Sequence, residues 1–395
     1  MIMSDTALKH IEHLSVTLGP RGSATPQERA AHDYVQAQLE ALGLAARAEP
    51  FRSVTSAYLP FGLGLGLMLL AAALFWLVGG TSNASAGALA AAVLGGLALA
   101  SALAESAGYD NPLRWFLPAE PSRNVVAVVP AAGEPRRRIA LLAHVDTHRT
   151  PLIWRSRGAF TAYRVLSTVC VAAMAALCAI FIAGVAAPSE ALRVAALAAA
   201  APVAAMFALV VQAHLTPITA GANDNASGVG VVLALAERLK AEPLAGTEVW
   251  IVATGCEEVG ANGSADFVRR HASQLDGVIA VDNIAGTGTG PVYLRSEGIV
   301  LPKTYAGRLI QRADRLAQAR PELGARPAVQ RGAYTDGMPA LNAGLDALSF
   351  VGYTADGWIP NWHHPEDVFA NVDADAVART EQFVWALLRA TDEEG

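Results

Sequence analysis

The sequence predicts an α/β domain with a mixed, largely parallel central sheet flanked by helices, interrupted by four transmembrane helices inserted as two hairpins. Two observations carry this. Near-continuous Val/Ile/Ala runs alternate with helical patterns, as in sheets whose strands are buried on both faces. The apolar content is also high and concentrated. The 395 residues are 53% hydrophobic and 16% charged, with mean hydropathy +0.34, and the surplus falls in four uncharged blocks. An ordinary soluble enzyme is less apolar.

The chain divides into five segments. Residues 1–57 open the α/β domain with a helix whose signals are complete. Thr25 stands at the N-cap, Pro26 at the first helical position, and Glu28 where a capping box places its acid. Ala31, Tyr34, Val35 and Leu42 share one face, and Gly43 ends the helix. Residues 58–104 form the first transmembrane hairpin, from blocks Tyr58–Gly80 and Ala84–Ala104 turning at Thr81–Asn83. Residues 105–164 return to the domain, with strands expected at 124–131 and 138–146. Residues 165–215 form the second hairpin, Val165–Ala187 and Val194–Leu215, turning at Pro188–Arg193. Each block approaches the ~20 residues that cross a ~30 Å hydrocarbon core. Residues 216–395 complete the domain, with strands expected at 247–254, 277–284 and 347–352 and helices at 226–242, 264–275, 302–319 and 373–391. "GTGTGP" at 286–291 matches no nucleotide-binding pattern and reads as a turn.

The first apolar block does not read as a secretory signal, because a charged, patterned stretch precedes it. Two hairpins place all the hydrophilic chain on one side of the bilayer. Arg52, Arg114, Arg155, Arg157 and Arg164 flank the spans on that side, against only Arg193 on the other. The positive-inside rule therefore predicts a multi-pass protein with its hydrophilic mass in the cytoplasm. Trp115 and Trp154 suit an interfacial belt and, equally, a place in the core. Cys170 and Cys178 lie within a span and Cys256 lies apart, so no disulfide framework is expected. A net charge of −6 and the lack of a basic, aromatic-interleaved stripe argue against nucleic acid. No span carries a central charge, which weighs against a transporter.

The chemistry gathers at strand ends, where ligands bind in open α/β sheets. "ALLAHVDTH" places His144 and Asp146 on one face of a strand. "GANDNASG" sets Asp224 in a glycine-bounded turn before a helix, "GCEEVG" supplies Glu257 and Glu258, and "IAVDNIAG" ends on Asp282. "NWHHPEDV" offers His363 and His364 in a loop. Singly, each reads as a core histidine, a helix cap, a turn acid or a surface ring. Together they need compensation, because buried charges require partners or metal. Two histidines and three carboxylates are the ligand inventory of a two-zinc site, provided that one carboxylate bridges. HExxH is absent.

In order and context, "AHVD", "DNASG", "EEVGANGS", "VDNIAG" and "WHHPED" resemble the motifs of the co-catalytic di-zinc aminopeptidases, including bacterial leucyl aminopeptidase, aminopeptidase Y and the glutamate carboxypeptidase group. The resemblance implies two Zn²⁺ ions. His144 and Asp282 would hold one, Glu258 and His363 the other, and Asp224 would bridge them. Asp146 would orient His144, and Glu257 would serve as general base on the metal-activated water. The resemblance favours His363 over His364, and it implies a cis bond between Asp224 and Asn225. Tyr334, before Thr335 and Asp336, is a candidate oxyanion stabiliser, although Gly337 stands where the family has histidine and the tyrosine spacing differs. The expected function is a membrane-embedded zinc exopeptidase, an aminopeptidase before a carboxypeptidase or amide deacylase, acting on peptide or amide substrates beside the lipid bilayer. The competing class is a non-catalytic membrane scaffold of the same fold. The soluble relatives lack both hairpins.

Overall fold

The computed structural model describes residues 3–109 and 111–394. Its helices, in chain order, are α1 (Met3–Glu12), α2 (Pro26–Ala41), α3 (Tyr58–Val78), α4 (Ala84–Ser106), α5 (Arg157–Ala186), α6 (Glu190–His214), α7 (Ser227–Ala241), α8 (Asn262–His271), α9 (Arg308–Ala319), α10 (Gly337–Asn342) and α11 (Ala374–Glu393). The strands are β1 (Arg47–Ser53), β2 (Glu120–Val129), β3 (Arg137–His144), β4 (Thr247–Thr254), β5 (Gly277–Asp282), β6 (Pro291–Glu297), β7 (Lys303–Thr304), β8 (Arg326–Val329) and β9 (Ala347–Gly352). They fall into two compact units. One takes in the chain up to Thr55, Ala119–Thr150 and everything from Pro217; the other is Ser56–Pro118 with Pro151–Thr216.

The first unit is the mixed α/β fold. Its sheet runs β1-β2-β4-β3-β5-β9-β6-β7, with β8 beside β6. The four central strands β4, β3, β5 and β9 are parallel, and β1, β2, β6 and β7 pair antiparallel at the flanks. The central strands are the continuous apolar runs of the sequence, and every residue of β5 and β9 is buried. Helix α7 packs on β3 and β5 and carries α1 and α11. A Cβ on Gly230 would come within 2.7 Å of Ala7 O, so the bare backbone lets α1 lie close against α7.

Some elements differ from expectation. β1 and β6 are strands that the hydrophobic pattern did not announce; β1 alternates exposed and half-buried residues around two buried positions. The helix expected at 302–319 begins at Arg308, while Lys303–Thr304 pairs with β6 instead. Asp346 sets that start by accepting from the Arg308 and Leu309 amides at 2.9 and 3.1 Å. Thr25 does cap α2, but the Glu28 carboxylate accepts from Ala24 N at 3.0 Å. Its other oxygen reaches Cys256 N across the fold at 2.8 Å.

The second unit is a ring of four helices, α3 against α4, α4 against α5, α5 against α6, and α6 against α3. All four are long and apolar enough to cross a membrane. Met68, Phe75, Leu177, Phe181 and Val203 fill its centre. Small residues let rings reach backbone: a Cβ on Gly184 would lie 2.5 Å from Phe75 Cε2. Leu70, Leu77, Val93 and Ile182 face outward and are 59–73% exposed. Helix α5 starts earlier than its apolar block, capped by Ser156, and α6 starts at Glu190, capped by Ser189. The connecting turn is therefore only residues 187–189. Beside it, the Arg193 guanidinium lies 4.3 Å from the centre of the Trp76 ring.

Candidate active site

The carboxyl ends of the central strands bring the predicted residues together. His144 ends β3 opposite Thr254, the last residue of β4, and Asp282 ends β5. The turn after β4 carries Glu257 and Glu258; it passes through Cys256 at φ 57° and closes with Glu257 O accepting from the Gly260 and Ala261 amides. Asp224 sits in the irregular turn before α7, and its bond to Asn225 is cis, as the resemblance implies. His363 enters from the loop after β9 at φ 52°. All are nine-tenths or more buried. His364 lies outside this cluster and accepts from the Glu366 amide.

Two sets of donor atoms form. His144, Asp224 and Asp282 make one; His148, Glu258 and His363 make the other. His144 Nε2 is 3.4 Å from both Asp224 Oδ1 and Asp282 Oδ1. His363 Nε2 is 3.1 Å from Asp224 Oδ2 and 3.3 Å from Glu258 Oε2. Asp224 thus turns one oxygen to each set. Tetrahedral zinc with bonds of about 2.0–2.2 Å separates its donors by roughly 3.3–3.6 Å, so the spacing fits. Glu258 Oε1, moreover, is a buried acceptor with no hydrogen-bond partner.

The electrostatics also fit. Five carboxylates (Asp146, Asp224, Glu257, Glu258 and Asp282) crowd around the histidines. Burial, reinforced by neighbouring acids, pushes Glu257 and Glu258 well above the carboxylate range. Burial alone would lower the His144 imidazole, but Glu257, Asp282, Asp146 and Asp224 outweigh it and hold the ring well above its usual value. Burial, with His363 next to it, keeps His148 well below. A buried site with this acid excess either retains protons or takes cations.

Asp146 has a wider role than orienting His144. The His144 Nδ1 lies 3.1 Å from the Asp146 carbonyl and 3.5 Å from its carboxylate. That carboxylate accepts from the amides of Glu257 and Glu258 at 3.1 and 3.2 Å and from Ser23 Oγ at 2.6 Å. One side chain therefore sets β3 and the acid pair relative to each other. Tyr334 is half-buried ahead of α10. Its neighbours Thr335 and Asp336 are engaged with Glu297 and Thr254.

Four supporting residues were not read from the sequence as part of the site. Asp367, within the quoted "WHHPED", accepts from the Asn223 and Asp224 amides at 2.6 and 3.0 Å and so clasps the Asp224 turn. Glu28 was read only as a cap, yet it holds the Cys256 amide. Arg21, fully buried, donates to the carbonyls of Leu14, Gly19, Val145, Ala220 and Gly221. Burial lowers its pKa to about 10. His148 closes the quoted "ALLAHVDTH", four residues after His144, but no role was read for it there.

Comparison with known proteins agrees with the motifs. The model of Peptidase family M28 matches residues 194–388. Aminopeptidase YwaD of Bacillus subtilis is 28% identical over 182 residues, 45% of this chain and 39% of that protein, so the match spans well under half of the relative. Among solved structures, glutaminyl cyclase of Porphyromonas gingivalis superposes with a TM-score of 0.57 at 17% identity, covering 99% of this chain and 98% of that one. BSAP, a zinc aminopeptidase from Bacillus subtilis, gives 0.57 at 14% identity, covering 98% and 94%. These structural likenesses speak for the fold, and by sequence residues 194–388 are similar to Peptidase family M28.

Proposed function

We propose that this chain is a membrane-anchored, two-zinc peptidase, an aminopeptidase in the first instance. The observation that carries the reading is the pair of donor sets sharing Asp224, with Glu257 beside them and outside both. His144, Asp282 and Asp224 would hold one ion; Glu258, His363 and Asp224 would hold the second. Zinc bound there supplies Lewis acidity to the scissile carbonyl and lowers the pKa of a water. Glu257 Oε2 lies 3.8 Å from His144 Nε2, and burial raises its proton affinity towards that of a general base. It takes the proton from the attacking water and returns it to the leaving amine. Asp146 keeps His144 and the Glu257 backbone in register for that transfer. Tyr334 remains the candidate donor to the oxyanion. The four apolar helices anchor the enzyme in a bilayer, and the arginine bias supports a cytoplasmic hydrophilic mass.

Elemental analysis of wild type and Glu257→Gln, alongside hydrolysis of an aminoacyl-anilide panel and of N-blocked and C-terminally amidated peptides, tests this. We expect about two zinc ions in both proteins, with turnover falling by roughly 10²–10⁴-fold in the variant. Cleavage that requires a free carboxyl terminus, or that tolerates a blocked amine, moves the reading to a carboxypeptidase or a deacylase. Metal-free wild type that gains nothing from added zinc refutes the enzyme and leaves a scaffold.

A further inference from the structure

We propose that His148 is a fourth protein ligand of the ion held by Asp224, Glu258 and His363, so that the two metal positions are unequal. This rests on the two-zinc reading above. His148 Nδ1 lies 2.6 Å from Glu258 Oε2, the same oxygen that His363 Nε2 faces at 3.3 Å. Two imidazole nitrogens from distant parts of the chain thus converge on one carboxylate oxygen. The two rings stack with centroids 3.7 Å apart and planes 15° apart, and both side chains are at most 10% exposed.

The backbone holds His148 there. Its carbonyl accepts from Thr219 N at 2.8 Å, Arg149 bridges antiparallel to Ile218, and Thr150 N donates to Pro217 O at 2.9 Å. The ring is therefore carried on a paired two-stranded segment and is in place before any ligand arrives.

The count of donors has a chemical consequence. The His144 position has three protein ligands, which in zinc enzymes leaves a place for water; four protein ligands close a site. Glu257 stands beside the three-ligand position, its Oε2 3.8 Å from His144 Nε2. The residues around His148 would then hold a structural ion, and those around His144 would form the position left open to water.

The test uses the full chain in detergent, stripped of metal and titrated with Co²⁺. The variants are His148→Ala and His148→Cys. Nδ1 is the ring nitrogen nearer the backbone, so a cysteine thiolate at this position reaches the same point with its longer metal bond. Wild type should bind two ions. His148→Ala should weaken one of them at least about tenfold and leave the other unchanged. His148→Cys should add a thiolate-to-cobalt charge-transfer absorption that saturates with the first equivalent. Two bound ions in His148→Cys without that absorption overturn the ligand role, whether or not His148→Ala loses affinity. Wild type that binds no cobalt overturns the two-metal reading itself.

Discussion

Arg21→Met isolates a residue with no part in the chemistry and a large part in holding it. The guanidinium donates five hydrogen bonds of 2.7–3.0 Å, all to main-chain carbonyls. Leu14 O and Gly221 O keep other donors, the amides of Gly19 and Ala226. Gly19 O, Val145 O and Ala220 O lose a charged donor, at about 1–3 kcal/mol each. Removing a fully desolvated cation returns part of that sum. A net loss of about 4 kcal/mol follows, in the range for breaking a buried charged contact. For a unit of this size, ~2–4 °C per kcal/mol puts the fall in melting temperature at roughly 8–16 °C. Thermal unfolding in detergent, followed by tryptophan fluorescence, reads it, because Trp250, Trp362 and Trp385 all belong to the α/β unit. Arg21→Lys should recover little, since one ammonium cannot span five carbonyls. A fall of less than about 3 °C in Arg21→Met would refute the reasoning.

Two further perturbations follow from the geometry. Burial raises the Glu297 carboxyl from 4.5 to about 8, so the folded state binds a proton that the unfolded chain has released; its contribution is full below pH 4.5 and is lost as pH climbs through 8. Melting curves should therefore show wild type losing several degrees relative to Glu297→Gln between pH 5 and pH 9, and a constant gap would contradict the assignment. Gly221 has φ +63°, and a Cβ there would meet Thr147 Cγ2 at 2.1 Å and Asp224 O at 2.4 Å. Gly221→Ala should cost more than about 2 kcal/mol and lower bound zinc together with melting temperature; unchanged metal content would show that the turn relaxes without moving Asp224.

The sequence was most legible where one physical cause dominated. Strands β3, β4, β5 and β9 are buried on both faces and so are written as unbroken apolar runs. The helices of the second unit are likewise written in hydrophobicity alone. β1 and β6 were silent, because "RAEPFRS" and "PVYLRSE" mix polar and apolar residues at the flanks of the sheet, where pairing partners rather than composition decide. The predicted ligand positions and the acid pair stood out because reactive side chains followed strand ends in a known order. Their supports did not. Asp367 acts through backbone amides and Arg21 through backbone carbonyls; Asp146 was legible as the partner of His144 but not as the acceptor of the Glu257 and Glu258 amides. Such contacts depend on where the chain passes and leave little trace in residue type. Glu28 shows the same limit, since its capping role was readable and its reach to Cys256 was not.

The paired segment around Arg149 and Ile218 also bears on how such a chain can be built. Where the chain leaves the α/β unit and where it comes back, it is already clasped as a short antiparallel ladder. For the host, residues 151–216 are then equivalent to the tip of a hairpin, and loop-closure entropy grows only slowly with what is hung from a tip. The graft is tolerated because its ends meet. The apolar helices and the α/β fold can therefore lengthen or be exchanged without changing the register of that ladder.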